Sequence, residues 1–271
     1  MDFSGIRVAT NSFSWHPDYN TSAPPMSDEE LVAQAAEAGA EGLEIDPERV
    51  SAELLARHGI VLSGASTGGS VFAEWSDEVL EGVRRAAEGV AQLGGYYLFF
   101  TTAPLHGWGG GWGEPGELGA DVLKLGGERM SDLGRCVAEF GLDFAFHNHA
   151  AAPEGLAVEL ALLHEHTDPA YVKSYLDIGW AYASGGDPVT LIRDLGPRLG
   201  GFHLRNQYGK VPAATLAEGD IDMAAVVAAM KDVGYSGWVA LELYHPPETP
   251  VTQSMLDYQK ESLAYLRGLL A

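Results

Sequence analysis

Asp177 and His203 each close a short apolar run, residues 171–176 and residues 199–202, with a helix-like segment between the two. A strand, a helix and a second strand in that order form a right-handed parallel unit. In parallel α/β proteins the ligand site lies beyond the carboxyl ends of the strands, so both residues open onto one rim. They stand about one strand-plus-helix repeat apart. A carboxylate oxygen and an imidazole nitrogen meeting there suit a borderline divalent cation. The plainer alternative is an Asp that caps the next helix and a His satisfied inside the core.

Other runs end in the same way. FAFHNH carries His147 and His149, WVALEL carries Glu242, and EGLEI carries Glu44. A carboxylate inside an apolar run needs a partner, which makes Glu242 a ligand, with a solvated surface charge as the alternative. Strand alternation sends His147 and His149 to one side, so one can bind metal and the other substrate. The residues alone do not divide the two roles, and hydrogen-bonded core histidines are the alternative. Glu44 reads equally as a partner for a substrate hydroxyl or as a helix cap with Asp46. Trp15, Phe72, Trp108 and Trp112 fall in loops on the same rim, where they could stack on the apolar face of a ligand or serve as lids and packing.

These residues need a scaffold, and the chain supplies one. Apolar strand-like runs recur at 7–13, 41–45, 60–63, 96–101, 142–147, 171–176, 199–202 and 238–243, each followed by a helical pattern. Ser27 and Ser76 read as helix caps with acids in the first turn. Nearly all of YYLFFT is apolar, as a strand covered on both faces requires. Eight such units in 271 residues predict an α/β protein built as a (β/α)8 barrel in a single domain over residues 1–271. A doubly wound open sheet is the runner-up, but no GxGxxG follows the first strand. GGGWG at 109–113 lacks the Lys-Ser/Thr of a phosphate loop.

Composition narrows the partners. Apolar residues make up 46% and charged residues 20%, an ordinary soluble profile. The formal net charge of −22 repels phosphate backbones, which excludes nucleic acid and anionic membrane and disfavours a highly phosphorylated substrate. A neutral, hydroxyl-rich ligand fits better. No apolar run approaches the roughly 20 residues needed to cross a bilayer, and no secretory leader is visible, so a cytoplasmic location is expected. The single Cys136 rules out an internal disulfide and reads as a buried, inert thiol. The oligomeric state, including a homo-oligomer, is left open.

The runs LDIGWAYASGGDP, LGGFHLRN, EGDIDMAAVVAAMKDVGYSGWVALEL and FAFHNH resemble the xylose isomerase-like TIM barrels, a superfamily of sugar isomerases and epimerases, inosose dehydratases and apurinic endonucleases. The likeness covers residues 141–244; the first half agrees in layout only. It implies a divalent metal, often Mn2+ with Mg2+, Co2+ or Zn2+ as alternatives, held by an acid after strand five, Asp177, His203 and Glu242. The inosose-processing branch is nearest, because His-x-His followed by Thr167-Asp168-Pro169 recurs there. Three positions depart from the family pattern. His147 stands near the strand-five glutamate's place, with Glu154 as a substitute acid. Trp180 replaces a substrate-contacting histidine, and Arg205-Asn206 replaces the Lys-Asp after strand seven.

The resemblance therefore implies a metal-dependent isomerase or epimerase acting on a neutral sugar, keto sugar or cyclitol through an enediolate. Glu242 is the expected base and His149 the proton carrier, while His147, Asp177, His203 and Glu242 hold metal. Glu44, Trp15, Trp108, Trp180 and Arg205 are the expected substrate contacts. The alternatives are a metal-dependent dehydratase or lyase, including β-elimination of a C-glycoside, and a non-catalytic sugar-binding barrel. An apurinic endonuclease is disfavoured by the acidic charge.

Overall fold

Alternate side chains along each apolar run need cover on both faces, and a closed parallel barrel wrapped by helices provides it. A computed structural model of the chain describes residues 5–72, 75–107 and 118–271; Trp108 and Trp112 lie outside the described residues. Eight parallel strands close in chain order, the last pairing with the first. They are Ile6–Asn11, Gly42–Glu44, Val61–Gly69, Tyr97–Thr102, Asp143–His147, Lys173–Asp177, Leu199–Leu204 and Gly237–Leu241.

Two apolar layers result. Outward residues such as Leu43, Leu98, Phe144, Leu176 and Phe202 pack beneath the helices in one continuous core. Each such side chain contributes about 1.5–3 kcal/mol when fully buried. The lumen is separate and holds Ala9, Tyr97, Phe99, Ala145, Tyr175, Trp238 and Ala240. Its large rings fit because glycines lie beside them: a Cβ at Gly64 would overlap the Tyr97 ring, and one at Gly201 the Tyr175 ring. Gly201→Ala is therefore expected to cost about 1–3 kcal/mol by overpacking, read as a lower urea midpoint. An unchanged midpoint would show that the Tyr175 ring is not seated against strand seven.

Several boundaries differ from those predicted. Strand three continues through the Gly- and Ser-rich run to Gly69, a stretch with little strand propensity. Its pairing holds it, since residues from Gly64 to Gly69 match Tyr97 to Thr102 of strand four. Strand seven runs on to Leu204, so His203 lies inside it. Between strands six and seven stand two helices, Ile178–Ala183 and Pro188–Leu195, the second capped by Asp187. A ribbon of Gln207–Tyr208 with Val211–Pro212 follows strand seven and was not predicted. Ser27 forms a full capping box with Glu30, whereas Ser76 holds the cap position without a side-chain bond. Cys136 is buried in the helix Ala120–Ala138, and burial pushes its thiol up, as expected of an inert residue. Among the described residues, no helix is long and apolar enough to cross a membrane.

Candidate active site

Strands five to eight deliver four side chains to one point at the carboxyl end of the barrel. His147 ends strand five, Asp177 ends strand six, His203 is in strand seven, and Glu242 follows strand eight. One potential ligand atom from each lies within 4.8 Å of the others. His147 Nε2 is 2.9 Å from His203 Nδ1 and 3.7 Å from Asp177 Oδ2. His203 Nδ1 is 3.5 Å from Glu242 Oε1 and 4.0 Å from Asp177 Oδ2. The first three are buried, and the Glu242 side chain is 12% exposed.

The two oxygens of Asp177 are placed differently. Its Oδ1 caps the next helix by accepting the Trp180 N–H at 2.7 Å. Its Oδ2 is buried in the cluster with no hydrogen-bond partner. A buried carboxylate oxygen left bare is costly unless a cation completes it. Two carboxylates and two imidazoles form a mixed oxygen and nitrogen set that suits a divalent metal.

Asn148 keeps two of these residues in register. Its Nδ2 donates to the Asp177 carbonyl at 3.0 Å, and its Oδ1 accepts the Asp177 N–H at 2.9 Å. The side-chain amide thus adds a rung to the strand five–six ladder, beyond the His147–Tyr175 pair. Only its place between two histidines marked it in the sequence.

The charges are strongly coupled. Burial opposes ionisation of Asp177, but the Arg205 guanidinium, 3.5 Å from Oδ1, and the neighbouring histidines hold its carboxyl far below the usual range. Burial, with the Asp177 charge beside it, pushes Glu242 up to about 7. Against its own burial, His203 is lifted to about 9 by the Glu242 and Glu44 carboxylates. Burial lowers His147.

The remaining expected contacts divide. Arg205 lies in the mouth with its nitrogens toward Asp177 and, at 3.7 Å, Glu242. Its guanidinium sits 4.7 Å from the centre of the Trp180 ring, whose other neighbour is His149 at 4.5 Å between centroids. His149 is exposed at the mouth, yet the packing around its ring, with His147 nearby, pushes it down to about 4. Trp15 is off the rim: it is buried, and its indole N–H donates to Gln34 on the helix Asp28–Glu37. Phe72 is likewise buried, beside Gly126. Glu44 neither caps a helix nor offers an oxygen to substrate. Asp46 alone caps the following turn, and Glu44 is buried below His203 with donors on both oxygens.

Glu154 is exposed on its helix and joins nothing in the cluster. A different carboxylate, Glu159, comes close instead. It accepts the N–H groups of His149 at 2.9 Å and Ala150 at 3.2 Å, and burial pushes it up to about 8. Its sequence signal was weak: an acid on the same helix face as the buried Leu156.

His245 was also missed. It is buried, with Nδ1 2.6 Å from Ser22 Oγ and Nε2 donating to the Ala214 carbonyl at 2.9 Å, which suits the neutral ring. Burial pushes it down to about 4. Below the ordinary histidine value of about 6.5 the unfolded chain binds this proton and the fold does not, so stability is lost as pH falls from 6.5 toward 4. The stability advantage of wild type over His245→Gln is expected to shrink by about 2 kcal/mol between pH 7.5 and 5. Urea denaturation at the two pH values checks this, and a constant difference would show that His245 protonates freely.

A family model described as xylose isomerase-like TIM barrel matches residues 32–268. An inosose dehydratase from Bacillus velezensis is 28% identical, the match covering 51% of each chain. The chain spans about half the length of the inosose dehydratases it matches. The rhizopine catabolism protein MocC of Rhizobium meliloti is 23% identical, with 94% of this chain and 87% of that protein covered. Among solved structures, a D-allulose 3-epimerase from Methylomonas sp. bound to D-allulose superposes with a TM-score of 0.71, 18% identity and 99% coverage of both chains. A 3-keto-D-glucoside 4-epimerase from E. coli gives 0.68 and 19%, covering 97% of this chain and 99% of that one. The match over most of the length, on a closed eight-stranded barrel, means that the chain belongs to the xylose isomerase-like TIM barrel family.

Proposed function

We propose that this protein is a divalent-metal-dependent enzyme that isomerises or epimerises a neutral sugar, keto sugar or cyclitol by removing a proton from carbon beside a carbonyl. The observation that carries this reading is the cluster of His147, Asp177, His203 and Glu242 around the bare Asp177 Oδ2. Those four residues would hold the metal, with Mn2+ the first candidate. When bound, the metal supplies Lewis acidity that polarises adjacent carbonyl and hydroxyl oxygens and stabilises the enediolate. Glu242 is the base. Its side chain is the most open of the four, 12% exposed, so it can meet a substrate proton from the mouth of the barrel. Arg205 restrains the Glu242 and Asp177 carboxylates from one side. His149 is held neutral at the mouth, able to hydrogen-bond a substrate hydroxyl or pass on a proton. Trp180, between His149 and Arg205, offers an apolar face to a ring.

A second reading is dehydration, in which the same proton abstraction is followed by loss of a β-hydroxyl. It is favoured by the relatives named inosose dehydratase. Protein loaded with Mn2+ should catalyse exchange of the substrate C–H with D2O for a keto sugar or an inosose. Deuterium in recovered sugar or its epimer identifies the first reaction, and an unsaturated product the second. No exchange and no product across both substrate classes would sink both readings.

A further inference from the structure

Glu44 lies directly beneath the cluster, 2% exposed, and every donor around it comes from a different strand. Its Oε1 accepts the Tyr97 hydroxyl at 2.6 Å and the Tyr175 hydroxyl as well. Its Oε2 accepts the Asn11 amide N–H at 2.7 Å and faces His203 Nε2 at 2.7 Å. An ionised carboxylate has about four lone-pair positions and no proton to give, so this fourth neighbour must also donate. The Asn11 amide cannot be reversed to change that, because its Oδ1 is engaged by the Phe13 N–H at 2.7 Å. Asn11 Nδ2 also stands 3.1 Å from His203 Nε2, but were Nε2 bare its lone pair would still face the nearer carboxylate oxygen, at 2.7 Å, with no proton between them. The proton is therefore on Nε2. In the neutral ring, the form in which histidine ligates a cation, Nδ1 is then the nitrogen that turns a lone pair toward His147, Asp177 and Glu242. Phe99 limits rotation of the ring, edge-on to His203 at 5.0 Å and stacked on Tyr175 at 4.7 Å.

We propose that Glu44 is a positioning residue for the cation site: it holds His203 as the Nε2–H tautomer with Nδ1 toward the cluster, and through that bond sets the affinity for metal. The inference rests on the metal reading given above. A carboxylate behind a ligating imidazole fixes the tautomer and raises the basicity of the ligand, and loss of such a partner typically weakens metal binding 10- to 100-fold. Strands one, two, four, six and seven all feed this one carboxylate, so barrel closure itself aims the ligand.

Metal-free wild type and Glu44→Gln are titrated with Mn2+, with free ion followed by electron paramagnetic resonance and folding by circular dichroism. The expected result is a folded variant that binds Mn2+ about 10- to 100-fold more weakly, because a neutral amide accepts the same bond without the charge. A second measurement needs no variant. In wild type loaded with Zn2+ and labelled with 15N-histidine, long-range proton–nitrogen correlation should place the His203 proton on Nε2 and the metal on Nδ1. Folded Glu44→Gln binding Mn2+ as tightly as wild type, or a His203 proton on Nδ1, overturns the inference alone. Wild type that takes up neither cation overturns the metal reading and this inference with it.

Discussion

Asp177→Ala and His203→Ala should each yield a folded barrel that retains little Mn2+ and has lost its turnover. Stability in this fold comes from the apolar layers beneath the helices and in the lumen, while the two side chains lie at the carboxyl rim. Removing Asp177 takes away the oxygen that has no hydrogen-bond partner, and the fold loses one cap bond and the carboxylate that Arg205, His147 and His203 face. Removing His203 takes away the imidazole central to the cluster, 2.9 Å from His147 and 3.5 Å from Glu242. Metal content by elemental analysis after dialysis, with circular dichroism to verify folding, is the measurement. Wild-type metal content in both variants would rule out the site.

Glu242→Gln should lower turnover by about 10²-fold or more while some metal stays bound. The amide keeps a ligating oxygen but is a far weaker base, so the loss falls on proton abstraction. The two histidines should separate in the same assay. His147→Ala is expected to lose metal, since its Nε2 faces both His203 Nδ1 and Asp177 Oδ2. His149→Ala is expected to keep metal and lose exchange of the substrate C–H with solvent, because its ring stands 6.0 Å from that of His147 and against Trp180. Full activity of Glu242→Gln on an identified substrate would remove the proposed base. Metal lost from His149→Ala but kept by His147→Ala would reverse the histidine roles.

The barrel was legible in the chain because its strands are local apolar runs bounded by turns, repeated with a regular strand-plus-helix spacing. Asp177, His203 and Glu242 were legible for a related reason: a polar residue at the end of an apolar strand must be satisfied by something, and strand ends are where barrels place sites. Their common location follows from topology alone, since parallel strands in chain order bring their carboxyl ends together. Side-chain direction and burial were a different matter. Trp15 looked like a rim aromatic, yet the turn of residues 12–15 folds it inward onto Gln34. Glu44 looked available to substrate, yet Asn11, Tyr97, Tyr175 and His203 close over it from strands distant in sequence. Glu154 and Glu159 were interchangeable as letters in one helix, and only the rotation of that helix against strand five buried the second beneath His149. Local periodicity and strand-end chemistry are written in neighbouring residues, so the sequence alone determined the barrel and the rim where its polar residues meet. Which oxygen is bare, which histidine nitrogen faces the cluster and which carboxylate stands behind it depend on contacts between residues tens to more than a hundred positions apart, and those exist only once the barrel has closed.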